Sequence, residues 1–251
     1  MCFSDFPRAE GRVLRPFRRD GGTWVLLLGA QEPPSRSFGN SGTLAAPMST
    51  PAILTLIRHG ETGANLDRVW QGSMDAPLNE RGQAQATRVA AYLGERCADA
   101  SALYSSPLQR AYRTAEAIGE VVGLAPQVDE ALTEFHLGCW EGKTYHDLQH
   151  EHELWHHMKR DPDFAPHGGE SPRQVVDRFI RALLRIARSN AGERVIVVAH
   201  GGGFSMSLGH LLAGGYDEWQ PVMDNCAVTE LVVEPRPEIL SFNLTDHLEC
   251  L

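Results

Sequence analysis

The stretch ILTLIRHGETGAN, residues 53–65, begins as a fully apolar run and then reaches Arg58 and His59, followed by glycine. A second stretch, RVIVVAHGGG at residues 194–203, repeats the arrangement, with β-branched residues leading to His200 and three glycines. Runs that are apolar at every position are typical of parallel strands buried on both faces. Because ligands of open α/β sheets bind beyond the carboxyl ends of the strands, both histidines are predicted to face one crevice.

The rest of the chain alternates between helix and strand patterns. Asn79, Ser106 and Ser171 are predicted helix caps, and proline follows the last two at the first helical position. The helix after Ser106 is predicted to end at Gly123. The order of these elements predicts an α/β fold, a three-layer sandwich with a mostly parallel central sheet and helices on both faces. Further strands are predicted at 101–106, 227–234 and 238–244, and a further helix at 204–214.

Composition excludes several classes of protein. The 251 residues are 42% apolar and carry a formal net charge of −9, so neither nucleic acid nor an anionic membrane surface is an expected partner. No apolar run approaches the roughly 18 to 20 residues of a membrane span, and TWVLLLGA at residues 23–30 is a minimal match to a signal peptide. The five scattered cysteines form no C-x-x-C pair. They are typical of reduced thiols in a cytoplasmic protein.

The first 47 residues differ in composition from the remainder. They contain Arg but no Lys, and residues 31–47 form a connector rich in Pro, Gly and Ser. Residues 1–47 are therefore expected to be a disordered extension, or a segment preceding a true start at Met48, and residues 48–251 to form the folded domain.

Arg58 and His59 together suggest chemistry. A single histidine at the end of a strand is more often a hydrogen-bonded structural residue than a functional one. An arginine directly beside it, however, either requires an anion or lowers the pKa of the imidazole, and both situations are typical of functional sites.

Six segments occur in an order that resembles the histidine phosphatase superfamily, also called the phosphoglycerate mutase-like family. The resemblance spans residues 53–246 and is specific because of the sequential order of the segments. They are LIRHGET, QGSMDAPLNERGQAQA, LYSSPLQRAYRTAEAI, LTEFHLGCWEG, HGGES and VVAHGG.

The resemblance implies a phosphohistidine mechanism. His59 attacks phosphorus through one ring nitrogen while a backbone carbonyl holds the other nitrogen. Arg58 and Arg110 bind the phosphate oxygens through their planar guanidinium groups, and His200 donates to the phosphoryl group, most usefully when protonated. Glu134 acts as the general acid for the leaving alkoxide and then as the base for water.

Other residues of the motifs are expected to contact the substrate. Thr62 and Asn65 lie in the loop after the first strand and are expected to donate hydrogen bonds. Gln71, Gly72 and Gly201 are expected to line the substrate side, although Gln71 is equally suited to a hydrogen bond within its loop.

Two further carboxylates have open roles. Glu170 either orients the phosphate-binding arginines or favours the N-terminus of the helix that follows it. Glu141 is expected to be a bystander. In the family, the residues between Glu134 and Glu170 form a small cap insertion over the substrate.

The function predicted from the resemblance is hydrolysis of a small phosphate ester without metal or cofactor. The substrate is expected to be a sugar phosphate, a phosphoglycerate derivative or an α-ribazole phosphate. A cofactor-dependent phosphoglycerate mutase is the alternative, disfavoured because the cap is short and has few cations. A non-catalytic module is disfavoured because every central residue is present. A homodimer is an open possibility.

One motif points to a different chemistry. His152, Glu153 and His156 have the H-E-x-x-H spacing that places two imidazoles on one helix face for zinc. The segment is polar on every side and lacks a third ligand pattern, so a zinc hydrolase is a remote alternative.

Overall fold

The structure, a computed structural model, describes residues 15–18, 24–27 and 50–249. Strands β1 (Arg15–Arg18) and β2 (Trp24–Leu27) pair antiparallel with each other. Apart from these two strands, the predicted extension over residues 1–47 lies outside the described residues.

A six-stranded sheet forms the centre of the domain. In spatial order the strands are β5, β4, β6, β3, β7 and β8. The first four are mutually parallel, whereas β7 runs antiparallel to both β3 and β8. The predicted mostly parallel sheet is confirmed. The strands are β3 (Ile53–Arg58), β4 (Ala100–Ser105), β5 (Gln127–Val128), β6 (Arg194–Ala199), β7 (Val228–Val232) and β8 (Glu238–Leu244).

Helices connect the strands, and none in the described part of the chain is long and apolar enough to cross a membrane. Short 3₁₀ turns occur at Glu130–Leu132, Gly138–Trp140 and Asp246–Leu248. The α-helices are α1 (Gly63–Leu66), α2 (Glu80–Arg96), α3 (Gln109–Val122), α4 (Tyr145–His150), α5 (Leu154–Arg160), α6 (Pro172–Ser189) and α7 (Gly201–Ala213).

Both faces of the sheet are buried. Ile57 and Val198 point to one face and belong to a core cluster with residues of α2 and α3. Their neighbours along the strands, such as Leu56, point to the other face and are equally buried. Helices α6 and α7 pack against each other through Phe179 and Phe204, whose rings meet edge to face with centroids 5.9 Å apart. This arrangement agrees with the predicted sandwich.

Two of the three predicted helix caps are confirmed. Asn79 accepts a hydrogen bond from the backbone of α2, and Ser171 forms a capping box at α6, whose first residue is Pro172. The prediction for Ser106 is wrong, because α3 begins at Gln109. The Ser106 hydroxyl contacts a buried histidine instead, and it accepts only a 3.3 Å hydrogen bond from a nearby backbone N–H.

The predicted cap insertion contains α4 and α5. A short antiparallel pairing joins its beginning to the loop after α1. Trp70 N donates to Lys143 O at 2.9 Å, Gly142 N donates to Trp70 O at 2.9 Å, and Tyr145 N donates to Arg68 O at 2.8 Å. The insertion is therefore anchored to the loop that follows the first histidine motif.

Candidate active site

Two histidines meet at the carboxyl ends of adjacent parallel strands. In the register of β3 and β6, Arg58 lies opposite Ala199, so the residues that follow, His59 and His200, are neighbours. Their ring centroids are 5.2 Å apart. The two histidines lie together as predicted from the sequence, because parallel pairing places both strand ends at the same edge of the sheet.

The His59 ring has a defined tautomer. Its Nδ1 lies 2.7 Å from the Gly60 carbonyl oxygen, so Nδ1 carries the proton and Nε2 carries the lone pair. Arg110 Nε donates to that Nε2 at 3.3 Å. Burial, together with the charges of Arg110 and Arg58, lowers the pKa of His59 well below its usual value. The imidazole is therefore neutral at physiological pH.

Arg110 is held in place by backbone carbonyls of the loop at residues 72–74. Its side chain is almost fully buried, with Nη1 donating to Met74 O at 2.6 Å and Nη2 donating to Gly72 O at 2.8 Å. Burial lowers the pKa of Arg110 to about 10, and the charge of Glu134 opposes that shift. The guanidinium therefore remains charged at neutral pH.

Arg58 supplies the second buried cation. Its Nη1 donates to Met223 O at 2.7 Å, while its Nε has no hydrogen-bond partner among the residues that the structure describes. Gly201, a predicted substrate-binding residue, lies beside that Nε, since a Cβ there would be 3.1 Å away. Two buried guanidinium groups around two imidazoles make a pocket suited to an anion.

Glu134 lies beside the histidines, at the N-terminus of α7. Its Oε1 accepts from Gly203 N and Phe135 N, both at 2.8 Å, and its Oε2 accepts from Gly202 N at 3.0 Å. Helix α7 begins at Gly201, three residues earlier than predicted, and this provides the N–H groups. A Cβ at Gly202 would lie 2.8 Å from Oε1 of Glu134, so a glycine is required for the close approach.

His200 is fully buried at the end of β6. Its Nε2 lies 2.7 Å from the Ser106 hydroxyl, and its Nδ1 has no partner within the described part of the chain. Burial and the charge of Arg110 lower the pKa of His200 well below its usual value. This shift favours the neutral imidazole, and a nearby anion would favour the imidazolium that was described as most useful for donation.

Three predicted substrate contacts hold the loop after β3 together. Thr62 is fully buried, and its hydroxyl lies 3.1 Å from side-chain oxygens of both Asn65 and Gln71. Because Oδ1 of Asn65 also accepts from Thr62 N, the amide nitrogen is the atom that can meet a phosphate. Gln71 is used within the loop, as the alternative interpretation of its role allowed.

Sequence reasoning missed two residues that position the pocket. Asn225 donates from Nδ2 to the His59 carbonyl at 2.9 Å, from a loop distant in sequence. Thr114 on α3 accepts from Gly60 N at 3.1 Å and donates to Arg110 O at 2.8 Å. An asparagine in a loop and a threonine inside a helix carry no motif, so only the fold identifies them.

Glu141, which was expected to be a bystander in the chemistry, makes structural contacts in the neighbouring loop. Its Oε1 accepts from Ser73 N at 2.8 Å and lies 2.7 Å from His136 Nδ1. A Cβ on Gly72, whose φ is 52°, would lie 2.0 Å from that oxygen. Glu141 therefore fixes the loop whose carbonyls hold Arg110.

The H-E-x-x-H segment does not form a helical metal site. Helix α5 begins only after Glu153, whose φ is 44°, so His152 lies outside it. The His152 ring stacks on Trp140 with centroids 4.2 Å apart, and His156 Nε2 lies 3.3 Å from Arg160 Nη1. Over the residues described, no group of three or more His, Cys, Asp or Glu side chains could hold a metal ion.

The lowered pKa values of His59 and His200 predict a loss of stability in mild acid. Unfolding returns both imidazoles to a pKa near 6.5, so below pH 6.5 the unfolded chain binds protons that the folded chain does not. The contribution of the two neutral imidazoles to the stability of the folded protein is complete above that pH and declines as the pH falls. The two groups together should lower the free energy of unfolding by about 2 kcal/mol between pH 7 and 5.5.

Urea unfolding of the ligand-free protein at the two pH values measures this loss. Burial also lowers the pKa of His167 and His247, so these two residues contribute to the total loss as well. A comparison between variants therefore separates the contribution of His200 from theirs. His200→Gln should reduce the loss by about 1 kcal/mol. His146→Gln, whose side chain is 77% exposed, should leave it unchanged. If the two variants lost equal amounts of unfolding free energy between pH 7 and 5.5, the lowered pKa of His200 would be contradicted.

Comparisons with known proteins agree with this geometry. A sequence model of the histidine phosphatase superfamily (branch 1) matches residues 54–245. Glucosyl-3-phosphoglycerate phosphatase of Mycobacterium tuberculosis is 34% identical over 192 residues, which cover 71% of this chain and 84% of the relative. Phosphoglycerate mutase-like protein 4 of Arabidopsis thaliana is 39% identical over 156 residues, covering 60% and 67% of the two chains. The chain belongs to the histidine phosphatase superfamily.

Solved structures of phosphatases are similar to this chain. Mycobacterial glucosyl-3-phosphoglycerate phosphatase with VO3 has a TM-score of 0.68 at 32% identity, covering 77% of this chain and 99% of the other. Phosphoserine phosphatase of Entamoeba histolytica with 3-phosphoglyceric acid also has a TM-score of 0.68, at 30% identity, covering 78% and 99%. This protein is accordingly a phosphatase of the histidine type.

Proposed function

We propose that this protein hydrolyses small phosphate monoesters through a phosphohistidine at His59. One observation carries the proposal: Nδ1 of His59 is held by the Gly60 carbonyl, so the lone pair on Nε2 is available in a pocket with two buried guanidinium groups. A phosphate dianion repels anionic nucleophiles, whereas a neutral imidazole approaches it without that repulsion.

The first step transfers the phosphoryl group to the enzyme. Nε2 of His59 forms a bond to phosphorus while the bond to the ester oxygen breaks. Arg110 Nε, which contacts Nε2 in the ligand-free pocket, exchanges that contact for a phosphate oxygen. Arg58, whose buried Nε has no hydrogen-bond partner among the described residues, and His200 neutralise the remaining charge.

Glu134 moves the proton in both steps. It protonates the departing alkoxide, and its carboxylate then takes a proton from the water that attacks the phosphohistidine, releasing inorganic phosphate and free His59. Oε2 accepts one N–H whereas Oε1 accepts two, so Oε2 is the oxygen with room for the proton. Gly202 and Gly203 keep the carboxylate at the pocket.

Phosphoglycerate derivatives are the proposed substrates. Support comes from the relatives, which are named for glucosyl-3-phosphoglycerate and phosphoserine, two esters with a carboxylate close to the phosphate. Sugar phosphates and α-ribazole phosphate, the substrate named for a further structural relative, are the other candidates. The mutase alternative is not favoured, because these relatives are named as phosphatases.

We further propose that the enzyme is metal-independent and cytoplasmic. Arg58 and Arg110 supply the positive charge that metal ions supply in other phosphatases, and the described cysteines Cys97, Cys139 and Cys226 are free thiols. The net charge of −9 supports the expectation that nucleic acid is not a partner. Formation of a homodimer stays a prediction.

Phosphate release from a panel of esters tests the proposed function. Phosphoserine, 3-phosphoglycerate, glucosyl-3-phosphoglycerate and glucose 6-phosphate would be compared with and without EDTA, using a His59→Ala preparation as the blank. We expect at least one phosphoglycerate derivative to be hydrolysed with kcat/KM about 10-fold above the sugar phosphate, unchanged by EDTA. Activity that EDTA removes, or isomerisation of 3-phosphoglycerate that needs added 2,3-bisphosphoglycerate, would contradict the proposal.

A further inference from the structure

Arg178 and Glu170 form an ion pair that holds the backbone around Glu134. Arg178 lies on α6 and Glu170 lies just before that helix. Nε of Arg178 donates to Oε1 of Glu170 at 2.8 Å, and Nη2 donates to Oε2 at 2.6 Å. Both side chains are largely buried, with 21% and 23% of their surfaces exposed. Residues 131–136, which contain Glu134, are called the acid segment below.

The same pair binds the acid segment on both sides of its carboxylate. Nη1 of Arg178 donates to Ala131 O at 3.0 Å and to Thr133 O at 2.7 Å. Glu170 accepts from His136 N at 3.2 Å, and its own backbone N–H donates to His136 O at 2.8 Å. The side chains of the ion pair therefore fix three backbone groups of the acid segment, and the backbone N–H of Glu170 fixes a fourth.

This arrangement differs from that of a simple stabilising salt bridge. An exposed Arg–Glu pair contributes little and leaves its third guanidinium nitrogen in water. Here that nitrogen is used on two carbonyls of the acid segment. Gly202 and Gly203 fix the Glu134 carboxylate from the other side, so the pair determines where the backbone of Glu134 lies relative to the histidines.

We propose that Arg178 and Glu170 are positioning residues that hold Glu134 in the position from which it can protonate the leaving group. The inference rests on the proposed function, in which Glu134 is the general acid. A displacement of about 1 Å in a catalytic group can cost on the order of 100-fold in rate. Weakening the ion pair between Arg178 and Glu170 should therefore impair proton transfer more than phosphate binding.

Leaving-group dependence separates positioning of the acid from general stabilisation. p-Nitrophenolate departs without a proton, whereas an alkoxide needs one, so only the alkyl ester depends on Glu134. We would measure kcat/KM for p-nitrophenyl, phenyl and ethyl phosphate. This ratio reports the steps up to release of the alcohol and excludes hydrolysis of the phosphohistidine, which is common to all three substrates.

Arg178→Lys and Glu170→Gln should each lower kcat/KM about 10- to 100-fold on ethyl phosphate and less than about 3-fold on p-nitrophenyl phosphate. Glu134→Gln should also lower kcat/KM more on ethyl phosphate than on p-nitrophenyl phosphate, and its loss on ethyl phosphate should be larger. Adding Arg178→Lys to Glu134→Gln should cause little further loss on ethyl phosphate, since both changes act on the same proton transfer.

A second ion pair formed by an arginine of the same helix provides the control. Arg188 and Glu234 form a bidentate pair with distances of 2.8 and 2.6 Å, but their side chains are 64% and 41% exposed. Arg188→Lys and Glu234→Gln should leave kcat/KM unchanged for every substrate. Thermal melting checks that each variant folds. If Arg178→Lys does not fold, Glu170→Gln, which keeps the bonds of Arg178 to the carbonyls, provides the measurement.

The outcomes separate this proposal from the proposed function. Equal losses on all three esters in the Arg178 and Glu170 variants, with the leaving-group dependence retained in Glu134→Gln, would overturn only the positioning role. No leaving-group dependence in Glu134→Gln would overturn the acid role and, with it, this inference.

Discussion

His59→Ala should abolish phosphatase activity, with kcat lowered by about 10⁴-fold or more. Removal of a covalent nucleophile generally costs this much, because binding and charge stabilisation alone supply little turnover. The other imidazole of the pocket, His200, has its Nε2 2.7 Å from the Ser106 hydroxyl, so that nitrogen does not replace Nε2 of His59. Phosphate release from p-nitrophenyl phosphate between pH 4 and 9, with and without EDTA, measures the loss.

Direct trapping tests the covalent step. After brief mixing with ³²P-labelled substrate and denaturation, the native protein should carry label that is lost in acid and kept in base, as expected for a phosphoramidate. His59→Ala should carry none, and His146→Ala, which changes an exposed imidazole, should be labelled like the native protein. Labelled His59→Ala, or EDTA-sensitive turnover that survives in this variant, would refute the phosphohistidine route.

The strands and most helix ends were predictable because the signals that define them are local. Apolar runs identify β3 and β6, and a cap followed by proline identifies α6. Ser106 was misread because a serine before Pro107 resembles a local cap, whereas its hydroxyl contacts His200, 94 positions away. Local patterns contain no information about such a distant partner.

The candidate catalytic side chains could be proposed from the sequence, but the groups that hold them could not. His59, Arg58 and Glu134 belong to recognisable motifs, and parallel pairing brings the strand-end residues together. Asn225 reaches the His59 carbonyl from a loop without any motif, and Arg178 reaches carbonyls 45 and 47 positions away. Their roles depend on three-dimensional packing, so they had to be found in the structure.

The protonation of the site also required the fold. From the sequence, His200 was expected to donate to the phosphoryl group, most usefully when protonated. The structure shows complete burial next to Arg110, which lowers the pKa of His200. The pocket is therefore prepared for a dianion without an additional buried positive charge, whose desolvation would be costly.

Arg110→Lys should reduce kcat/KM by about 10²- to 10³-fold although the charge is retained. From one planar group, Arg110 reaches His59 Nε2, Met74 O and Gly72 O. A lysine has a single nitrogen and cannot satisfy all three acceptors, so the 72–74 loop loses its anchor. Leaving these buried carbonyls without a donor should also lower the free energy of unfolding by about 1 to 3 kcal/mol.

Arg113→Lys is the matched control on the same helix. Its side chain is 61% exposed and pairs with Glu116 at 2.6 Å. The same substitution there should leave kcat/KM unchanged and shift the free energy of unfolding by less than about 0.5 kcal/mol. Steady-state kinetics on p-nitrophenyl phosphate and urea unfolding give both quantities. If Arg110→Lys retained native kcat/KM, charge alone would suffice, and the planar guanidinium would have no special role in phosphate transfer.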